Sequence, residues 1–166
     1  MGTPLPHSPS DTMRLMVNAP GYAVGWQVPV YLPDPAAGAG WSYKVDGQYY
    51  ERMIAVTFTF NADGVVANRL MVLQLLDQDG RVIIEAQCGN AVAAGSFLTV
   101  NLVSDGPGYD TGGAGHSYGY VPGFLVPPGW SWSLFTEGFD AGDQITDIVL
   151  LVQRFPSDTV EISTVS

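Results

Sequence analysis

The stretch MIAVTFTF, residues 53 to 60, alternates in parity: Ile54, Val56, Phe58 and Phe60 fall on one side, Ala55, Thr57 and Thr59 on the other. Successive side chains of a strand point to opposite faces, so this pattern predicts a strand with one buried face. The signature recurs. SFLTVNLVSDG, 96 to 106, places Leu98, Val100 and Leu102 together. GWSWSLF alternates Trp130, Trp132 and Leu134 with serines, and a final apolar run ends at Phe155. In that run Ile148, Leu150 and Val152 are expected to face the core and Val149 and Leu151 the other side, as in a strand that is central or covered by a neighbour. YAVGWQVPVYL, 22 to 32, carries Pro29, which confines a strand to an edge or a bulge. RLMVLQLLDQDGRVIIEAQ, 69 to 87, reads as a hairpin turning at DQDG, because β-branched residues follow a turn built from Asp and Gly.

About seven or eight strands emerge, separated by turn signals, with no helical periodicity and no internal repeat. That pattern predicts an all-β fold, a jelly-roll-like β-sandwich of about eight antiparallel strands. Residues 1 to 20 hold Pro4, Pro6, Pro9 and Pro20. Proline removes backbone donors, so this segment reads as an extended N-terminal arm. The sandwich is expected over 21 to 156, with a tail over 157 to 166. GPGYDTGGAGHSYGY, 106 to 120, has too little side-chain volume for a core of its own and reads as a long loop, of the kind that is usually functional.

Composition narrows the partners. Of 166 residues, 46% are hydrophobic and 13% charged, which excludes a disordered chain and suggests that some surface is covered by another subunit. Six basic residues face 16 acidic ones, for a net charge of -10, and the basic residues are scattered. Phosphate neutralisation needs clustered cations, so nucleic acid is not an expected partner. An anionic membrane would repel the chain, and no apolar run reaches the roughly 18 residues that a membrane helix needs. The opening MGTPLPHSPSDT lacks the basic and apolar regions of a secretory signal. Gly2 does not make a myristoylation motif, because Pro6 stands where Ser or Thr is needed. Cys88 is alone, which precludes an internal disulfide and fits a small, half-buried apolar role.

No catalytic residues, metal site or cofactor are expected. DQDG, 77 to 80, has the alternating oxygens of a calcium loop but no distal bidentate Glu, and reads as a turn. DTGG, 110 to 113, lacks the second carboxylate that aspartic protease chemistry shares a proton with. His7 and His116 sit in the arm and the Gly-rich loop, neither a rigid place for a general base, and no nucleophile elbow is present. TEGFDAGDQ joins two strands, with Gly138, Gly142, Asp140 and Asp143 as turn residues. Trp130 and Trp132 are expected in the core. Trp41, Tyr43, Tyr49 and Tyr50 flank a segment without alternation and are candidate partner contacts, along with Pro4, Pro6 and Pro9 of the arm and Tyr109 and Tyr118 of the Gly-rich loop.

Two stretches, TFTFNADGVVANRLMVLQLLDQDGRVI and LVPPGWSWSLFTEGFDAGDQITDIVLLVQRF, resemble small jelly-roll or β-sandwich virion proteins of tailed bacteriophages. The likeness covers residues 53 to 87 and 121 to 155. It implies a non-enzymatic structural role in the virion: a capsid decoration protein that binds the head shell, with the major capsid protein as partner, as a homo-oligomer such as a trimer. A head-tail connector or tail component is one alternative, and a carbohydrate- or receptor-binding sandwich module another. No catalytic residue carries over. Arg69, in the ANR of the pattern, is expected to form a structural hydrogen-bond fork to a carboxylate or to carbonyls.

Overall fold

The computed structural model describes residues 25–89, 91–104 and 115–157, and these form an all-β sandwich of two sheets. In chain order the strands are β1 (Trp26–Tyr31), β2 (Ser42–Lys44), β3 (Tyr49–Asn61), β4 (Leu70–Leu76), β5 (Val82–Gln87), β6 (Phe97–Val103), β7 (His116–Tyr120), β8 (Leu125–Val126), β9 (Ser131–Glu137) and β10 (Gln144–Pro156). The larger sheet has the order β1-β10-β3-β6-β7, with β8 also paired to β3, and the smaller has β2-β9-β4-β5.

The pairing is nested. β4 pairs β5 and β3 pairs β6; outside them β2 pairs β9 and β1 pairs β10, all antiparallel. The nested pairs alternate between the two sheets, as if one long hairpin had been wound around the core. That is a jelly roll, with β7 and β8 inserted between its sixth and seventh strands. β7 departs from the expected antiparallel set, because it lies parallel to β6. The twelve residues from 104 to 115 connect them, about the length that a parallel return requires.

The core is made by the inward parity of each strand. Phe58 and Phe60 of β3, Leu73 and Leu75 of β4, Leu102 of β6, Trp132 of β9, and Ile148 and Leu150 of β10 are all at most 2% exposed. Val149 and Leu151 point to the opposite, half-buried side, as the sequence predicts, and β10 lies between β1 and β3. β1, with Pro29, is an edge strand. Cys88 is more deeply buried than half, at 1% exposure.

Three expectations are corrected. Ile54 does not share the face of Val56; Met53 takes the inner position. The β10 register steps from Leu151↔Ala55 to Val152↔Met53, leaving Ile54 as the extra residue of a bulge that reverses parity. The segment around Trp41 is not a patternless loop, since Trp41, Tyr43 and Val45 point inward and Ser42 and Lys44 outward, and β2 forms there. The last third of the Gly-rich stretch is β7, so His116 begins a strand. The N-terminal arm, the C-terminal tail after Ser157 and the first part of the Gly-rich stretch lie outside the described residues.

Candidate functional site

The turn between β9 and β10 organises the most polar part of the interior. It leaves β9 at Gly138, whose φ of 70° is open to glycine and whose missing Cβ lets the turn lie against the Asn68 carbonyl. A side chain at Gly142 would run into the Asp63 carboxylate. Asp143 then points inward and is fully buried, as is Arg69 at the start of β4. Arg69 Nε donates to Asp143 Oδ2 at 2.6 Å, and Arg69 Nη2 donates to Asp63 Oδ1. The backbone N–H of Asp140 donates to Asp143 Oδ2 at 2.7 Å and that of Asp63 to Asp143 Oδ1 at 2.9 Å. Burial by itself pushes the Asp143 carboxyl up, but the Arg69 fork and the two backbone donors outweigh it and hold the carboxyl below its ordinary value. The hydrogen bond to Asp143 correspondingly raises the Arg69 pKa.

This arrangement is the expected Arg69 fork, and it corrects the reading of Asp143 as a plain turn residue. Asp143 ties three segments together: its own turn, the loop after β3 through Asp63, and β4 through Arg69. Arg69 also bridges its backbone to Val92. Three fixed donors hold the Asp143 carboxylate, two on Oδ2 and one on Oδ1. Arg69 Nη1 is buried without a hydrogen-bond partner among the described residues.

A second polar group links the two sheets at another point. Tyr43 of β2 donates its hydroxyl to both oxygens of Glu51 on β3, at 2.9 and 2.8 Å. Arg154 of β10 donates from Nε to Glu51 Oε1 at 2.7 Å and from Nη2 to Tyr43 Oη at 3.2 Å. The Arg154 guanidinium lies over the Tyr49 ring, 5.3 Å from its centroid, and Trp26 meets that ring edge-on. Burial, first, and the Glu51 charge push the Tyr43 hydroxyl up to about 12. Burial does the same to the Cys88 thiol, also to about 12.

Both acids are kept neutral by the fold. Their stabilising contribution is present below their ordinary values of 10.0 and 9.0 and is lost as pH rises through about 12. The expected result is a melting temperature that falls between those limits in alkaline solution. Thermal scans of the Tyr43→Phe, Cys88→Ala double variant check this: its alkaline limb should be flatter than that of the parent, and an unchanged limb would refute the assignment.

At DQDG, Asp77 Oδ1 accepts from the backbone N–H of Asp79 at 2.8 Å and of Arg81 at 2.9 Å, while Asp79 pairs with Arg81. Gly80 takes a φ of 80°. These oxygens build the hairpin turn itself. Among the described residues no group of three or more His, Cys, Asp or Glu is placed to hold a metal ion, and no helix is long and apolar enough to cross a membrane.

The nominated contact residues separate. Trp41 and Tyr43 are 4% and 9% exposed, which removes them from any surface; the alternation of β2 turns them inward between the sheets. Tyr49 and Tyr50 are half-buried, with Tyr49 engaged by Arg154 and Trp26. Tyr118 lies on β7, opposite Asn101. Pro4, Pro6, Pro9 and Tyr109 lie outside the described residues. Trp132 is a core residue, and Trp130 packs against that core half-buried. The exposed apolar residues lie elsewhere, at Tyr31, Phe97, Val103, Tyr120 and Leu125 on the larger sheet and at Val65, Val66, Val82, Ile83 and Phe135. Their alternation is readable in sequence, but which parity faces out depends on the bulges.

No family model matches the sequence, and no curated protein matches it. Among solved structures, the fold is similar to a chain in the structure of infectious bursal disease virus, Gx strain, with 13% identity and a TM-score of 0.38, over 83% of this chain and 32% of that one. A chain of the Gt strain gives 11% identity and a TM-score of 0.33, over 81% and 37%. The CBM22-1 and GH10 modules of Clostridium thermocellum endo-1,4-beta-D-xylanase 10B, complexed with xylohexaose, give 13% and 0.28, over 86% and 29%. The chain thus spans about a third of the length of the chains it matches, and at these TM-scores the likenesses assign it to no family.

Proposed function

We propose that this chain is a non-enzymatic structural protein of a tailed-bacteriophage virion, a capsid decoration protein that sits on the head shell as an oligomer. The observation that carries the reading is the nested jelly-roll pairing of β1·β10, β2·β9, β3·β6 and β4·β5. That architecture recurs in viral capsid domains, and it also serves lectins and cupins, so the support is at the level of fold. The sequence resemblance described above narrows it. The use of polar side chains supports the same reading: Asp143, Arg69, Glu51, Tyr43 and Arg154 hold strands and turns to one another. Their hydrogen-bonding capacity goes into rigidity, which is what a shell component needs.

The proline-rich arm supplies part of the attachment in this account. A proline-rich segment loses less entropy on docking than a freely flexible one. Deleting residues 2 to 18 removes none of the strands of the described residues, the first of which begins at Trp26. The truncated protein is expected to keep its melting temperature and to lose occupancy on purified particles. Full occupancy of the truncated chain would make the arm a passive tail, and failure of the full chain to bind shells at all would overturn the decoration role. A glycan array tests the carbohydrate-binding alternative directly.

A further inference from the structure

The outer face of the larger sheet sets polar and apolar rows side by side. The strand registers place Thr146, Thr59, Thr99 and His116 in one row and Tyr31, Val149, Thr57 and Asn101 in the next. Pro29, Leu151, Ala55, Val103 and Tyr120 form the row after that. Their parity is outward, because the residues that alternate with them, such as Val30, Phe58 and Val100, belong to the core. In a chain of net charge -10, these three rows hold no Asp, Glu, Lys or Arg.

Three aromatic rings border the rows. Tyr31 on the edge strand β1 is 74% exposed and Tyr120 on the edge strand β7 is 47% exposed. Phe97, two residues before Thr99 on the same face of β6, is 62% exposed. Tyr31 and Tyr120 stand four strand spacings apart, roughly 19 Å. Between them lie the short side chains of Ala55, Thr57 and Val103. At the centre the Thr57 hydroxyl donates to Asn101 Oδ1 at 2.9 Å. That bond fixes the Asn101 amide and leaves its two N–H donors without a partner among the described residues.

We propose that this face binds a neutral oligosaccharide. A sugar ring carries C–H groups on its two faces and hydroxyls around its rim. Exposed aromatic rings stack on the former, and Thr and Asn side chains, which both donate and accept, meet the latter. The polar rows argue against a second copy or another apolar surface as the occupant. Burial of Thr57, Thr59, Thr99 and Asn101 against carbon would cost their hydration without replacing it. The lack of cations in the rows argues against an anionic ligand, which the field of a chain with net charge -10 would also repel. The separation of Tyr31 from Tyr120 selects a chain of several sugar units over a single ring. The inference stands apart from the virion reading, in which attachment runs through the N-terminal arm.

Titration calorimetry of the full chain with cellohexaose, mannohexaose, maltohexaose and chitohexaose is expected to detect binding of at least one of them. Tyr31→Ala should weaken that binding by at least about tenfold with an unchanged melting temperature, because the side chain is largely exposed. Tyr31→Phe keeps the ring and should keep the affinity. Asn101→Ala removes the central donors and should weaken binding likewise; Tyr120→Ala, at the other edge, provides a second test should that variant fail to fold. Occupancy on purified particles, which tests the shell role, should not change in Tyr31→Ala, so the two readings fail separately. Binding of none of the four neutral chains overturns the proposal. So does tighter binding of hexagalacturonate than of any of them, or binding that neither Tyr31→Ala nor Tyr120→Ala weakens.

Discussion

Asp143→Ala is expected to cost about 3–5 kcal/mol, the range for breaking a buried ion pair by removing one partner. That is a large fraction of the ~5–15 kcal/mol by which a domain is stable, so the variant should be largely unfolded near its working temperature. The loss has two parts. Arg69, fully buried, would keep Asp63 as its paired carboxylate, and Asp63 is 22% exposed. The backbone N–H groups of Asp63 and Asp140 would also lose their acceptor. Asp143→Asn separates the charge from the shape: it keeps an acceptor oxygen and loses the negative charge, and should fall between the parent and the alanine variant. A pH signature accompanies the pair. The folded carboxyl lies below its ordinary value, so its stabilising contribution is present above that value and is lost as pH falls through the depressed one. Asp143→Asn should therefore flatten the acid limb of the stability profile. Denaturant titrations check both statements, and a loss within about 0.5 kcal/mol for the alanine variant would mark Asp143 as a dispensable turn residue.

Leu150→Ala is expected to cost about 2–5 kcal/mol. Leu150 is fully buried on β10, in register with Val30 on one side and Val56 on the other. All three come from paired strands of one sheet, whose hydrogen bonds prevent the backbone from closing over the vacated volume, so the cavity term should be retained. Leu151→Ala, one residue on and on the outer face, removes the same atoms from a half-buried position and should cost clearly less. Equal losses at the two positions would contradict the inward parity of β10.

The fold was largely legible because its strands alternate. Val56, Phe58 and Phe60, Val100 and Leu102, and Ile148, Leu150 and Val152 all point inward as their spacing predicts. Legibility failed where local geometry breaks the period. The bulge at Ile54 shifts parity by one residue, and backbone pairing with a distant strand sets that shift. β7 is added to the edge of β6 by main-chain hydrogen bonds, so HSYGY carries little hydrophobic signal. β2 is a different kind of miss: Trp41, Tyr43 and Val45 do alternate with Ser42 and Lys44, but three paired residues are short enough to be lost between two loops. Candidate contacts were harder to read than strands. A Tyr or Trp beside a loop looks the same in sequence whether it faces solvent or, like Tyr43, delivers its hydroxyl to a buried Glu51. The Arg69 fork was foreseeable as a fork, but its partner lies 74 residues away, and only the meeting of the β9–β10 turn with the start of β4 identifies Asp143.

The central claim is that this jelly roll is a structural part of a virion. If the proposed role holds, density from intact phage particles that carry the chain tests this most directly. The account predicts density on the outside of the head shell into which the two sheets and the β9–β10 turn fit, in symmetry-related copies. Particles that lack the chain, or that carry it only at the connector or tail, would contradict the decoration role.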